Sequence, residues 1–495
     1  MRFTRFVPLA VCLAACTPTQ ASSSEQPLAG ASTGETASTS PEPYYSPGYW
    51  QGAIEVPNGP AIEWIIAVEM GDDGVLEAKI WIPQQEVRGI GLAEPQLADP
   101  EGLRFDWAEI GASWVIVSGD APRCSFTQAG AVLDCDVEAI DAQSFAEYTV
   151  LSRPQQPKPP FPYAVEELRF ENPDAEGVTL AATLTIPEGP GPHPGVILLT
   201  GSGLQDRDES LMGHKPFWVL ADHLSRNGVA VLRYDDRGFP PSTGDPAAAT
   251  MEDFASDGWA ALQTLADRPE VDAERVGIIG HSEGGVTGPM IAAAHPKAVD
   301  FVVMMAGTGV RGDTLILRQT ALQLRSTGAT EEQIATQVAT SETIFRTLRE
   351  DPQNLDAAIE TAVREGAAAL PADQQMSPEE LETEIRTQRE VLESPWLRHF
   401  LGFDPAPTLR EVKAPVLVLA GELDLQVEPE QNLGPIEAAL RRNRHVKVVR
   451  FPGLNHLFQP ATTGALSEYS EIETTLDPAV LEVITRWVRA TTELD

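Results

Sequence analysis

Apolar positions repeat in two different ways along this chain, and the change falls near residue 153. Before it, β-branched and aromatic runs at 61–68 (AIEWIIAV) and 75–82 (VLEAKIWI) flank Gly71-Asp72-Asp73-Gly74, the composition of a hairpin turn. Similar runs lie at 103–110, 113–118 and 145–151, without a convincing helical period. Residues 44–153 therefore predict a small antiparallel β domain (a sheet, barrel or sandwich) with no chemical motif. The segment 153–162 (RPQQPKPPFP) is a stiff proline linker and marks a boundary.

From 165 onward strand and helix patterns alternate. Strand-length apolar runs occupy 195–200, 229–234, 275–280, 299–305, 415–420 and 446–451. Several are almost unbroken in apolar character, as strands covered on both faces must be. The clearest helix is the last: Asp477 caps it, Pro478 takes its first position, and Val480, Val483, Ile484, Trp487 and Val488 form one stripe. Residues 160–495 thus predict an α/β domain built on a parallel sheet. About a hundred residues separate the strand near Met305 from the one at Pro415, and their pattern is helical. Thr330 with Gln333, and Ser377 with Glu380, read as capping boxes. This insertion, about 310–403, is expected to cover a site as a cap; the alternative is helices packed elsewhere.

Composition narrows the setting. A chain of 495 residues exceeds one ordinary core. Its 35 basic and 73 acidic side chains give a net charge of −38, which disfavours nucleic acid and anionic lipid surfaces as partners. At the start, Arg2 and Arg5 precede an apolar run too short to span a bilayer, ending in Leu13-Ala14-Ala15-Cys16. This resembles the lipobox of a bacterial lipoprotein. The resemblance implies cleavage before Cys16, lipid on its thiol, and an envelope location; Thr17 rather than aspartate favours the outer membrane, on its periplasmic side. The alternative is an ordinary secretory signal with a chance cysteine. Residues 17–43, rich in Ser, Thr, Ala, Gly, Pro and Glu, read as a flexible tether. In an oxidising compartment, Cys124 and Cys135 are expected to form a disulfide closing a hairpin. No metal or cofactor is implied.

One stretch carries chemistry. Residues 276–288 (VGIIGHSEGGVTG) end an apolar strand in Gly280-His281-Ser282-Glu283-Gly284. Gly-x-Ser-x-Gly between strand and helix is the pattern of a tight bend that exposes a nucleophilic hydroxyl. A serine hydroxyl needs a base, and the base needs a carboxylate to orient it. Such partners are expected on loops after later strands, acid before histidine. Asp424 follows the 415–420 run within GELDLQV, and His456 follows 446–451 within GLNHLFQ. Glu422 is the close rival to Asp424.

At these residues the chain resembles the α/β-hydrolase family, in its bacterial esterase D-like and serine-aminopeptidase-like branch. The resemblance spans roughly 165–495 and rests on TGSGLQDRDE (200–209), YDDRG (234–238), GHSEGG, GELDLQV, GLNHLFQ and SPWLRHF (394–400). It implies an oxyanion hole formed by the backbone N–H of Glu283 and that of Ser202 or Gly203. Many relatives have histidine where Thr200 stands, so a side-chain role there does not carry over. The Glu283 carboxyl either meets a cationic substrate group or, the favoured reading, caps the following helix at its positive end. Asp206, Arg207, Asp235, Asp236 and Arg237 read as an ion-paired loop scaffold, and His281 as a packed neighbour. Trp396 and Phe400 line an acyl pocket or form cap core. The function expected is hydrolysis of a small-molecule carboxylic ester through Ser282, His456 and Asp424. Peptidase or thioesterase action with the same residues is the alternative, or a catalytically silent binding lipoprotein; the oligomeric state is not readable.

Overall fold

The computed structural model describes residues 153–368 and 375–494, together with nine strands between residues 48 and 140. These divide into two compact units, one on either side of the 152/153 junction.

The first unit is one antiparallel sheet. Its strands are β1 (Gly48–Ile54), β2 (Ile62–Met70), β3 (Leu76–Ile82), β4 (Val87–Gly91), β5 (Gln96–Ala98), β6 (Gly102–Trp107), β7 (Ala112–Val117), β8 (Arg123–Gln128) and β9 (Ala131–Ile140). They lie in the order β4-β3-β2-β1-β9-β8-β7-β6-β5, so two meanders join where β1 pairs with β9. Trp64, Ile66, Ile80, Phe105, Trp114 and Ile116 bury its core. Cys124 and Cys135 sit directly opposite across β8 and β9 and are joined by a disulfide, with Cα atoms 5.4 Å apart. The expected turn at 71–74 and the run at 145–151 lie outside the described residues. Strand β9 was not anticipated, because acidic residues interrupt it; its alternation nonetheless packs Cys135 and Val137 on the core and leaves Glu138 exposed.

The second unit runs β10 (Tyr163–Glu171), β11 (Thr179–Pro187), β12 (His193–Leu199), α1 (Pro216–Arg226), β13 (Ala230–Tyr234), α2 (Met251–Ala266), β14 (Val271–His281), α3 (Gly284–Ala294) and β15 (Val302–Met305). Helices α4 (Gly312–Ser326), α5 (Glu331–Glu350), α6 (Leu355–Ala368), α7 (Pro378–Glu393), α8 (Pro395–Gly402) and α9 (Pro405–Glu411) follow. The chain then returns through β16 (Val416–Gly421), α10 (Pro429–Leu440), β17 (Val446–Phe451) and α11 (Pro478–Thr491). The sheet order is β10-β11-β13-β12-β14-β15-β16-β17. Its six later strands are parallel, whereas β10 and β11 are antiparallel at one edge. That antiparallel edge adds to the six parallel strands expected. Strand β10 is half polar and exposed, so it gave no buried-strand signal.

Alternating residues of the parallel strands feed two cores. Ile197, Leu199, Ile278, Val302 and Val416 pack with α2, α3 and α10. Val196, Leu198, Ile279, Val303 and Leu417 pack with α1 and α11. This is the α/β-hydrolase architecture: a mixed eight-stranded sheet with helices on both faces. Helices α4 to α8 bury a third core that also takes in Val286 of α3 and Met251 of α2. Both expected capping boxes are formed: Thr330 accepts from the Gln333 N–H, and Ser377 from the Glu380 N–H.

A Cβ at Gly284 would lie 2.1 Å from the Leu199 carbonyl oxygen, a backbone atom that cannot step aside. Gly284→Ala is therefore expected to destabilise the unit by about 3 kcal/mol or more in denaturant titration. Gly434→Ala, on a helix with nothing within 4 Å of the new carbon, is expected to be neutral or stabilising by up to about 1 kcal/mol. Equal effects at the two positions would refute the steric account.

Candidate active site

Ser282 sits between the end of β14 and the start of α3 with φ of 53°, in the left-handed region that L-residues avoid. Holding a non-glycine residue there costs about 1–3 kcal/mol. Three close backbone approaches enforce it. A Cβ at Gly280 would meet the Gly284 carbonyl oxygen at 1.9 Å; Gly284 abuts Leu199; and Gly285 abuts Gly307 at 2.8 Å. Backbone hydrogen bonds complete the bend: the Ser282 N–H donates to Met305 O (2.8 Å) and the Gly284 N–H to Thr200 O (3.0 Å). The result aims one hydroxyl out of the carboxyl end of the central strand.

Asp424 and His456 arrive from the next two parallel strands. One Asp424 oxygen accepts from the N–H groups of Gln426 and Val427 (both 2.8 Å), which leaves the other for His456 Nδ1, also at 2.8 Å. The pair is almost wholly buried. A carboxylate facing Nδ1 fixes the proton on that nitrogen and leaves Nε2 as the basic site. The two loops are joined: the Leu423 N–H donates to Leu454 O, and Gly421 leaves no room for a Cβ beside Leu454. Asn455 shapes the histidine turn by accepting from the N–H groups of Leu457 and Gln459. Glu422, the sequence rival, is exposed. Ser282 and His456 line one cavity of about 430 Å³ with Gly201, Ser202, Gln205 and Glu209. Among the described residues neither Ser282 Oγ nor His456 Nε2 makes a hydrogen bond, so both face that space.

A second histidine–carboxylate pair lies beside the first. His281 Nδ1 is 2.8 Å from Glu209 Oε1 and its Nε2 is 3.0 Å from the carbonyl oxygen of His456. The His456 carbonyl can only accept, so His281 Nε2 carries a proton. Burial pushes its pKa down, but the Glu209 carboxylate and the His456 carbonyl more than offset this and hold it above its ordinary value. The same Glu209 oxygen accepts from the Gly201 N–H at 2.7 Å. His281 thereby ties the Ser282 turn, the Thr200–Gly201 loop and the His456 loop into one unit. The packed-neighbour reading missed this, because no motif links Glu209 to residue 281.

Ser202 borders both cavities that contain Ser282, whereas Gly203 borders a different one. Among the described residues the N–H groups of Ser202, Gly203 and Glu283 have no acceptor. Above Ser282, a cavity of about 460 Å³ is walled by Val286, Leu315, Ile316, Trp396, Phe400 and Val427. Trp396 and Phe400 stack with ring centroids 5.3 Å apart, so they are pocket wall and cap core together. The helix-cap reading of Glu283 is corrected: its carboxyl makes no cap bond to α3 and instead accepts from Trp396 Nε1 at 2.9 and 3.0 Å. Sequence distance hid this contact.

The acidic and basic loop residues brace the site's rim. Arg207 forks onto Asp235, Arg237 onto Asp257, and Asp236 accepts from Thr200 Oγ1 and the Gln205 N–H. No cluster of three or more His, Cys, Asp or Glu fit for a metal occurs among the described residues.

Burial raises the Glu283 carboxyl from its ordinary 4.5 to about 7, opposed in part by the Trp396 indole; the buried Asp236 carboxyl nearby adds no relief. The folded chain thus holds this proton more tightly than the unfolded one. Stability from Glu283 is intact below about pH 4.5 and is lost as pH rises to about 7, by roughly 3 kcal/mol. Glu283→Gln is expected to gain melting temperature over wild type more at pH 8 than at pH 5. A pH-independent difference would contradict a buried, proton-holding carboxyl.

Residues 176–449, more than half of the chain, match the sequence model of the family described as X-Pro dipeptidyl-peptidase (S15 family). Esterase EstD of Thermotoga maritima is 29% identical over 332 residues, 66% of this chain and 69% of its own. Acyl-coenzyme A thioesterase 2 of mouse mitochondria is 32% identical over 159 residues, but only 31% of this chain and 32% of that enzyme are covered. Among solved structures, an esterase of Pyrococcus furiosus aligns with 70% of this chain and 99% of its own, at 14% identity and a TM-score of 0.41. Proline iminopeptidase of Mycobacterium smegmatis aligns with 66% of this chain and 99% of its own, at 20% identity and a TM-score of 0.41. With its strand order and its serine turn already placed, the chain is a hydrolase of the α/β-hydrolase class and belongs to the X-Pro dipeptidyl-peptidase (S15) family.

Proposed function

We propose that this protein is a serine carboxylesterase that works through an acyl-enzyme on Ser282. The observation that carries the reading is the strained Ser282 in one cavity with a histidine whose Nδ1 is bound to a buried aspartate. His456 Nε2 takes the Ser282 proton as Oγ attacks the ester carbonyl. The developing oxyanion is held by the N–H groups of Glu283 and Ser202, with Gly203 the weaker candidate since it borders another cavity. Asp424 stabilises the imidazolium. His456 then protonates the departing alcohol, and water repeats the sequence on the acyl-enzyme. The apolar cap pocket suits an acyl chain, and the esterase relative covers more of the chain than the thioesterases do. Peptide cleavage is the second reading, favoured by the family match alone.

Purified protein is expected to hydrolyse p-nitrophenyl acyl esters far faster than aminoacyl p-nitroanilides. Ser282→Ala and His456→Ala should each lower kcat by about 10³-fold or more, with KM little changed. Asp424→Asn should lower kcat by about 10³-fold or more while leaving the fold intact. Retained turnover in the Ser282 variant would overturn the assignment.

We also propose that Cys16 is lipidated and holds the enzyme at the bacterial envelope, on the periplasmic side of the outer membrane. Support comes from the Leu13-Ala14-Ala15-Cys16 pattern and the tether-like composition of 17–43. Metabolic labelling with a palmitate analogue is expected to mark the full chain and not Cys16→Ser, which should shift to the soluble fraction. Equal labelling of both would refute the anchor.

A further inference from the structure

Among the described residues the wall of the acyl pocket carries one carboxyl, that of Glu283, and this mechanism does not use it; Thr308, Gln319 and Gln426 are uncharged polar neighbours in the same wall. Glu283 is 7% exposed, and its residue forms the wall between the 460 Å³ cavity and a second of about 310 Å³ bordered by Leu199, Thr200, Tyr234, Asp236 and Phe254. Six of the twelve residues that wall the first are aliphatic or aromatic, and Glu283 is the one ionisable side chain among the rest. A carboxylate can accept about four hydrogen bonds. Here a single indole N–H, from Trp396, serves both oxygens. Among the described residues no Lys, Arg or His forms an ion pair with it. Burying a carboxyl this way costs free energy that an apolar residue would not. Neither structural duty accounts for that cost. The side chain does not cap α3, and an uncharged glutamine would hold the indole equally well.

Reach decides where such a group can act. Glu283 directly follows the nucleophile, and its backbone N–H is one of the oxyanion donors assigned above. Its carboxyl therefore ends beside the first few atoms of a bound acyl chain. We propose that Glu283 is the specificity-determining residue of the acyl pocket, selecting acyl groups that carry a hydrogen-bond donor, a hydroxyl or an ammonium, within a few atoms of the scissile carbonyl. The donor fills an acceptor site that the protein leaves open. A plain alkyl chain seals the carboxyl from water and returns nothing, the situation in which polar sites discriminate most strongly. The inference rests on Ser282 being the acylated residue.

The test compares kcat/KM within two pairs of p-nitrophenyl esters: 3-hydroxybutanoate against butanoate, and alaninate against propanoate. Each ratio is divided by the pair's reactivity ratio in buffer. Ratios taken within one enzyme cancel any general loss of fold or oxyanion geometry. Wild type is expected to favour the donor-bearing member of at least one pair by about 10-fold or more. Glu283→Leu should bring that ratio to about one or below. Glu283→Gln should keep a hydroxyl preference and lose an ammonium preference, which distinguishes the two donors even if the leucine variant does not fold. Wild-type ratios near one, or a preference that survives Glu283→Leu, overturn the proposal. Labelling of Ser282 by a fluorophosphonate is scored on the same samples. Labelled enzyme with flat ratios fails only the Glu283 inference, whereas unlabelled folded enzyme fails the serine-esterase reading and this one with it.

Discussion

The Leu199 carbonyl oxygen lies where a side chain at position 284 would begin, and most of the site depends on that approach. Strand β12 and helix α3 can come this close only because residue 284 has no Cβ. Gly280 and Gly285 remove two further obstacles on the other sides of the turn. Backbone squeezed from three directions leaves Ser282 no ordinary conformation, and its φ of 53° is the result. The strain is sustained by the two cores packed on either face of the sheet, which hold β12, β14 and β15 in fixed register.

Around that bend, charge is arranged in two neighbouring pairs with different duties. Asp424 accepts from two N–H groups and faces His456 Nδ1, so it orients the ring. Glu209 and His281 form a second pair whose hydrogen bonds run to backbone, at Gly201 and His456. The two rings stand with centroids 4.8 Å apart. In this way the residue before Ser282 supports the loop that carries His456.

Much of this is legible in the sequence alone. The unbroken apolar runs located the buried strands, since parallel strands cannot hide polar residues on either face. Chain order then selected Asp424 and His456, because acid and base must leave the carboxyl ends of strands beyond the nucleophile. The rest was hidden for identifiable reasons. Strand β10 occupies the sheet edge, where its half-polar, partly exposed sequence carries little signal, and β11 beside it is buried but has Thr183 and Thr185 among its apolar positions. Glu209 lies in an acid-rich loop in which nothing distinguishes it from Asp206 or Asp208, and only the folded chain brings it to His281. Trp396 meets Glu283 across the whole cap insertion, a contact no local pattern encodes; local reasoning instead put that carboxyl on the nearest helix end.

The central claim is that one strained serine becomes covalently acylated. Rapid quenching of the enzyme with p-nitrophenyl acetate, followed by intact-mass and peptide-mapping spectrometry, tests it directly. The account predicts one added acetyl group per chain, on the peptide containing Ser282, and none in Ser282→Ala. Turnover with no covalent adduct, or an acetyl group mapped to another residue, would contradict it.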